Sequence, residues 1–281
     1  MPFRLAVKLG GLLGRFAFDI VRIRRRVTLD NLSAAFGERY SAAERRGIGR
    51  RSYVNFAKSM VEFASLDRFD AVRLRAIVRM DGREHLDASL ERGRGVVVVT
   101  GHFGSWELLG AATVAHGYTV DFLVGEQSNR LVDEMMNGLR RSSGIGVIAR
   151  GVAARGVFSS LKGNRIVALL SDQDARSAGI FVDFLGRPAS TFQGAAQFAL
   201  RMRSMIICCY IVRQPDESHI AFFFPPIDVD SEAERESEIR RLTEEHTREL
   251  ERCIELHPDH YFWAHRRWKT KPPPPAGGMD G

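Results

Sequence analysis

Short runs of apolar residues, many of them β-branched or aromatic, recur between residues 95 and 225 and predict strands. These runs are GVVVVT (95–100), YTVDFLV (118–124), GVIA (146–149), RIVALLS (165–171), MIICCYIV (205–212) and HIAFFFP (219–225). Between most of them, apolar positions recur at helical spacing, as in 132–143 and 153–161. Strands that alternate with helices predict an α/β fold with a mostly parallel central sheet flanked by helices.

Helical patterns also precede and follow the predicted sheet. Residues 28–66 predict two helices broken near Gly37, and Ser41 with Glu44 forms a capping box for the second. Residues 232–256 predict a long charged helix whose buried side is Ile239, Leu242, His246, Leu250, Cys253 and Ile254. We find no internal repeat and no long linker, so residues 27–271 are interpreted as one domain. The tail PPPPAGGMDG (272–281) is predicted to be disordered.

Residues 1–26 predict an amphipathic, basic helix. Its apolar positions are Leu5, Leu9, Leu12, Leu13, Phe16 and Ile20. Its charged positions are Arg4, Lys8, Arg15, Asp19 and Arg22, and the cluster RIRRR follows at 22–26. The charges interrupt any run long enough for a membrane-spanning helix or a signal peptide. The pattern predicts a helix that lies in the headgroup region of an anionic membrane. The alternative is a helix that only packs on the domain.

Charge and cysteine content narrow the function classes. Lys and Arg number 41 against 34 Asp and Glu, which leaves a net charge of +7 and favours a phospholipid surface, a nucleic acid or an acidic protein or substrate. The three cysteines form no disulfide framework, and Cys208 and Cys209 lie in a predicted core strand. No Cys or His spacing indicates zinc, so we predict no metal site.

The stretch TGHFGSWE (100–107) contains the strongest candidate for chemistry. His102 follows a predicted core strand, and the carboxyl ends of such strands are where α/β proteins place their sites. Glu107, in the first turns of the next helix, can reach back to one ring nitrogen and leave the other as a general base. Gly101 and Gly104 allow a tight turn and the close approach of a substrate. The alternative is a structural histidine with a solvated glutamate.

The sequence lacks a protein nucleophile to accompany this base. It has no GxSxG elbow, no GxxxxGK[ST] phosphate loop and no HExxH motif. Ser105 is the nearest hydroxyl and is interpreted as a helix cap. The remaining hypothesis is a base that activates a substrate hydroxyl for direct attack on a bound acyl group.

TGHFGSWE resembles the His-x4-acid motif of glycerolipid-type acyltransferases. In the form GHFG-x-WE it is similar to the bacterial lipid A biosynthesis acyltransferases, the lauroyl and myristoyl transferases. Three further stretches resemble that family in the expected order, so the similarity spans about 26–272: RVTLDNLSAAFGERYSAAERR, SDQDARSAGIFVDFLGRPASTFQGAAQFALR and FWAHRRWKTKP. The family commonly has a longer hydrophobic anchor than this N-terminus.

The resemblance implies roles for five residues. His102 would be the base and Glu107 its orienting partner, and Asp172 and Gln173 match an Asp-Gln pair that contributes to substrate binding. Arg140 matches an arginine that holds a lipid phosphate or stabilises an oxyanion; alternatively it is one cation of a helix that also carries Arg141.

The resemblance also implies substrates and a place in the cell. The donor would be a thioester of acyl carrier protein or coenzyme A, with no other cofactor. The acceptor would be a glycolipid, such as a lipid A precursor or a mannosylated phosphoinositide. The enzyme would be peripheral, on the cytoplasmic face of the bacterial inner membrane.

Other function classes stay open on the sequence alone. Asp172 and Asp174 have the spacing of a metal-binding DxD in a glycosyltransferase, although such pairs also cap turns. FWAHRRWKTK combines aromatic and basic residues, as nucleic-acid binders do, but the combination also suits a membrane interface or simple packing of Phe262 and Trp263. We favour the membrane and expect no nucleic acid partner. A non-catalytic lipid-binding module is a further alternative.

Overall fold

The computed structural model describes residues 2–273, with nine strands and ten α-helices in that part of the chain. The strands are β1 (Val78–Asp81), β2 (Val96–Thr100), β3 (Val120–Val124), β4 (Gly146–Ala149), β5 (Ile166–Leu170), β6 (Ile180–Asp183), β7 (Pro188–Thr191), β8 (Met205–Arg213) and β9 (His219–Phe223). The helices are α1 (Phe3–Phe16), α2 (Arg25–Phe36), α3 (Ala42–Phe63), α4 (Ala71–Ile77), α5 (Arg83–Glu91), α6 (Trp106–Ala115), α7 (Arg130–Ser142), α8 (Ala153–Lys162), α9 (Gly194–Met202) and α10 (Arg235–Leu256).

Seven strands form one sheet in the order β1-β9-β8-β2-β5-β3-β4. All neighbours are parallel except β8 and β9, which are antiparallel. β6 and β7 pair separately as an antiparallel hairpin. The predicted α/β fold with a mostly parallel sheet is therefore confirmed. The sequence analysis placed six strands within about two residues of their observed bounds and missed β1, β6 and β7.

The core lies on both faces of this sheet. Val97 and Val99 of β2 point to one face, where α8, α9 and α10 pack. Val96 and Val98 point to the other face, which is covered mainly by α4, α5 and α6. Because β2 is buried on both sides, it reads as four consecutive valines rather than as an alternating pattern.

Three predicted helical features are confirmed. α2 and α3 are separated by a short 3-10 helix at Gly37–Arg39, and Ser41 and Glu44 form the capping box at the start of α3. α10 buries all six side chains that its pattern placed inside. These features could be predicted from the sequence because each depends on residues that lie within one or two helical turns of one another.

The N-terminal segment consists of α1, a π-helical turn at Ala17–Val21 and a break before α2. Arg22 and Arg24 both adopt left-handed backbone conformations in this break, with φ of 61° and 47°. Within residues 2–273, no helix has both the length and the apolar composition needed to cross a bilayer. Most of the tail predicted to be disordered, 274–281, lies outside the described residues.

Candidate functional site

The loop after β2 carries His102 and is fixed by the C-terminal segment of the chain. The His102 carbonyl accepts from the Phe262 amide at 2.9 Å, and the Gly104 amide donates to the His260 carbonyl at 2.9 Å. Gly104 has a φ of +60°, and a Cβ there would collide with the carbonyl of Ile211. The close approach that the sequence analysis assigned to a substrate is therefore made by the backbone of β8.

Asp172 is the hydrogen-bond partner of His102. The Nδ1 atom of His102 lies 2.8 Å from Oδ1 of Asp172. The two residues come together because β2 and β5 are adjacent and parallel, so their carboxyl ends meet at one edge of the sheet. A Cβ on Gly101 would lie 3.2 Å from Cβ of Asp172, so the small residue before His102 leaves room for this contact. Asp172 is buried, whereas about 24% of the His102 side chain is exposed.

Burial and the carboxylate act in opposite directions on the pKa of His102. Burial lowers it, but the charge and hydrogen bond of Asp172, with a smaller effect of the Glu107 charge, outweigh burial and leave the pKa above its ordinary value. Burial raises the pKa of Asp172, but the imidazole more than compensates and the net shift is downward. Asp172 is therefore an ionised acceptor, and Nδ1 of His102 carries the donated proton. Nε2 is left as the basic nitrogen.

Glu107 has a different partner from the one expected. Its carboxylate forms a two-point ion pair with Arg140 of α7, with Nε to Oε2 at 3.0 Å and a second bond from the other end of the guanidinium. Both side chains are buried, and Asn137 accepts a further bond from Arg140 at 2.8 Å. The hydrogen bond predicted between Glu107 and His102 is thus replaced in this structure by His102–Asp172 and Glu107–Arg140. The catalytic roles predicted for these residues stay predictions.

Gln173 and Ser105 complete the immediate surroundings. The amide nitrogen of Gln173 lies 3.3 Å from Nε2 of His102. Ser105 occupies the N-cap position of α6, but its side chain makes no capping hydrogen bond, contrary to the predicted cap. Its buried hydroxyl has no hydrogen-bond partner within residues 2–273.

These residues open into a cleft of about 1110 Å³ at the carboxyl ends of β2, β3 and β5. His102, Glu107, Arg140 and Gln173 all line it. One part of the wall is apolar, and another carries cationic side chains. The apolar part includes Phe122, Val124, Met136, Phe192 and Phe198; the cationic part includes Arg24, Arg150, Arg176, Arg266 and Lys269. An amphiphilic anionic ligand suits such a wall.

The sequence analysis did not single out Arg24 or His265, both of which line the cleft. His265 accepts a hydrogen bond from the Asp174 amide at 3.1 Å, and Asn31 of α2 donates to the carbonyls of Trp263 and His265. Trp263 itself is buried, so the packing alternative holds for that aromatic residue. His265 lies in the WAHRRWK stretch that resembles the family. That resemblance is the sequence feature that could have pointed to His265.

A model of the family described as bacterial lipid A biosynthesis acyltransferase matches residues 1–270 of this chain. The chain is similar to the lipid A biosynthesis palmitoleoyltransferase of Escherichia coli K12, with 24% identity over 97% of this chain and 87% of that protein. It is equally similar to the lauroyltransferase of the same organism, with 24% identity over 97% and 88%. A phosphatidylinositol mannoside acyltransferase of Mycobacterium tuberculosis is 28% identical over 45% of this chain and 41% of its own.

Proposed function

Because the chain belongs to the bacterial lipid A biosynthesis acyltransferase family and is an acyltransferase, we propose that it moves a fatty acyl group from a thioester onto a glycolipid hydroxyl. The proposal rests on the position of His102. Its Nδ1 lies 2.8 Å from Oδ1 of buried Asp172, and its side chain lines the cleft. A histidine in that setting is oriented by its carboxylate and can accept the proton of a substrate on its other ring nitrogen.

In the proposed reaction, Nε2 of His102 takes the proton of the acceptor hydroxyl as the oxygen attacks the thioester carbonyl. A tetrahedral oxyanion forms, and the carbon–sulfur bond then breaks. The imidazolium returns its proton to the leaving thiolate, so the products are an ester and a thiol. Asp172 stabilises the imidazolium, and the amide of Gln173 supplies an N–H donor for the oxyanion.

Glu107 and Arg140 act together in this proposal. Their ion pair is buried beside the base and links the start of α6 to α7. The negative charge of Glu107 also contributes to the raised pKa of His102. We assign Glu107 the role of a positioning residue that keeps Arg140 and the wall of the cleft in place, with the guanidinium available near the developing oxyanion.

The donor is a thioester of acyl carrier protein or coenzyme A, and its chain lies along the apolar wall formed by Phe122, Val124, Met136 and Phe198. The acceptor is a lipid A precursor. A second acceptor class, a phosphoinositide mannoside, is favoured by the 28% identity to a phosphatidylinositol mannoside acyltransferase, which covers less than half of this chain. Mass spectrometry of lipids from cells with and without the protein distinguishes them by which lipid gains one acyl group.

The test of the base is turnover by His102→Ala with purified donor and acceptor. General-base assistance contributes about 10²–10⁴ in rate, so turnover should fall by at least that range while the thermal unfolding temperature stays near wild type. His85→Ala, on α5 outside the cleft, is the control and should keep full turnover. Turnover of His102→Ala within tenfold of wild type contradicts the proposed role.

In this proposal, α1 binds the surface of an anionic membrane. α1 packs on α3 with Val7, Gly10, Gly11 and Gly14 buried, so the small residues face the domain. Five of its larger apolar side chains, and Ile20 of the π-helical turn after it, are instead between 42% and 66% exposed: Leu5, Leu9, Leu12, Leu13, Phe16 and Ile20. The helix thus packs on the domain and still presents an apolar stripe beside basic residues, as an interfacial helix does.

Cosedimentation with vesicles that contain anionic lipid tests this surface. Leu12→Glu combined with Leu13→Glu places charge in the stripe and should reduce the bound fraction severalfold. Val72→Glu is the control, since Val72 on α4 is 69% exposed and lies outside the stripe. Equal binding by the double variant and the control would refute the assignment.

A further inference from the structure

The cationic wall of the cleft contains charges that no carboxylate neutralises in the part of the chain that the structure describes. Within residues 2–273, Arg24, Arg176, Arg266 and Lys269 form no ion pair, and all four line the cleft. Arg140, which also lines the cleft, forms an ion pair with Glu107. Asp174 and Glu126 also line the cleft, and Asp174 accepts a bond from Thr270 at 2.9 Å. The balance along the wall is positive and favours an anionic ligand.

Arg24 has an unusual backbone for a residue with a large side chain. It lies in the left-handed region with φ of 47°, two residues after Arg22 at 61°. That conformation costs free energy in any residue with a Cβ. Arg24 Nη1 donates to the Ala264 carbonyl at 3.4 Å, which places the guanidinium beside the C-terminal segment that carries Arg266. The turn therefore directs a cation from the N-terminal helices to the edge of the cleft.

The same turn joins the exposed apolar stripe to the cleft. Val21 and Ile23 are 53% and 55% exposed and continue the stripe of α1 to the residue before Arg24. Arg24 follows this stripe directly in the chain and lines the same cleft as His102. A lipid acceptor has its anionic group at the headgroup, where the apolar surface ends and the cationic wall begins.

We propose that Arg24, with Arg266 and Lys269, binds the phosphate of an anionic glycolipid acceptor that enters the cleft from the membrane side. The inference rests on the proposed function and adds the chemical class of the acceptor headgroup and its point of entry. A phosphate on the thioester donor would present the same chemistry. We assign the wall to the acceptor because it is continuous with the lipid-facing stripe.

The experiment measures KM for acceptor and donor separately with full-length Arg24→Gln. The acceptors are a phosphorylated lipid A precursor and the same lipid after enzymatic removal of its phosphates. Loss of a charge-assisted contact should raise KM for the phosphorylated acceptor about tenfold, with little change in kcat. KM for the dephosphorylated acceptor and for the donor should change by less than twofold. Arg22→Gln is the matched control, because Arg22 shares the left-handed backbone but does not line the cleft.

Two more variants separate charge from folding. Arg24→Gly removes the charge and relieves the backbone, so it should raise the same KM without lowering the unfolding temperature. Arg24→Lys keeps the charge and should recover part of the affinity. An unchanged KM for the phosphorylated acceptor in both Arg24→Gln and Arg24→Gly overturns the inference, as does a rise confined to the donor. Absence of wild-type turnover with any glycolipid overturns the proposed function instead, and the inference with it.

Discussion

Two clusters in this protein each combine a histidine with carboxylates and an arginine, yet only one opens to the cleft. The His102 cluster consists of His102, Asp172, Glu107 and Arg140. The α3 cluster consists of Glu62, Lys58, Arg213, Glu217 and His219 and ties α3 to β8 and β9. In the second cluster, Arg213 forms a two-point ion pair with Glu62, much as Arg140 does with Glu107.

The two histidines differ in the direction of their pKa shifts. Burial lowers the pKa of His219 to about 4, because the attraction of Glu62, already engaged by Arg213, does not offset desolvation. The carboxylate of Asp172 bonds directly to His102 and raises its pKa. His219 is 1% exposed at its side chain against 24% for His102. A buried histidine near a glutamate and an arginine is therefore not in itself a base; a direct carboxylate partner and access to a cavity distinguish the two.

The largest effect that this comparison predicts is on turnover in Asp172→Asn. The amide cannot stabilise the imidazolium and favours the wrong tautomer, so kcat should fall by about 10² or more. Glu62→Gln, which disturbs the α3 cluster, should unfold more easily but keep kcat per folded molecule. Similar kcat losses in the two variants would remove the distinction between the clusters.

A smaller change in turnover but a large one in stability is expected for Glu107→Gln. This variant leaves the buried Arg140 charge unpaired, which should cost roughly 3–5 kcal/mol in the free energy of unfolding. Denaturant unfolding measures the loss, and the double variant Glu107→Gln with Arg140→Met should recover part of it. If Glu107→Gln instead lowers the pKa of His102 more than Asp172→Asn does, Glu107 is the orienting partner and the present assignment is wrong.

The last predicted effect appears only on acidification and is the pH dependence of the free energy of unfolding. The pKa of His219, and likewise that of buried His246, is lowered to about 4, so each takes up a proton more readily when unfolded. These two histidines do not reduce the free energy of unfolding above pH about 6.5. Towards pH 4 the free energy of unfolding should fall by up to about 1.4 kcal/mol per pH unit for each histidine. His219→Leu should flatten this slope in urea unfolding. His102 has the opposite sign, since its contribution is lost as pH rises through its raised pKa.

What the sequence could predict depended on the distance between the residues involved. The strand before His102, the capping box of Ser41 and the buried face of α10 are local patterns and were predicted correctly. The partner of His102 was not, because Asp172 lies 70 residues away and reaches it only through the adjacency of β2 and β5. Glu107 was the nearest carboxylate in sequence, but helix geometry turns it towards Arg140 on α7.

Arg24 shows the same limit at the edge of the cleft. The sequence presents it as one of several cations in RIRRR, and no local pattern distinguishes it from Arg22 or Arg25. Its position in the cleft depends on two left-handed residues and on contact with a carbonyl 240 residues away. Such placement is set by tertiary packing, which periodicity does not encode.

The most direct test of the account is the pKa of His102, followed by NMR with labelled histidine in the intact enzyme. We expect a pKa above the ordinary 6.5 in the wild type, a clear fall in Asp172→Asn, and no change in Glu62→Gln. A wild-type pKa well below 6.5, or one that Asp172→Asn leaves unchanged, would contradict the claim that Asp172 prepares His102 as the base.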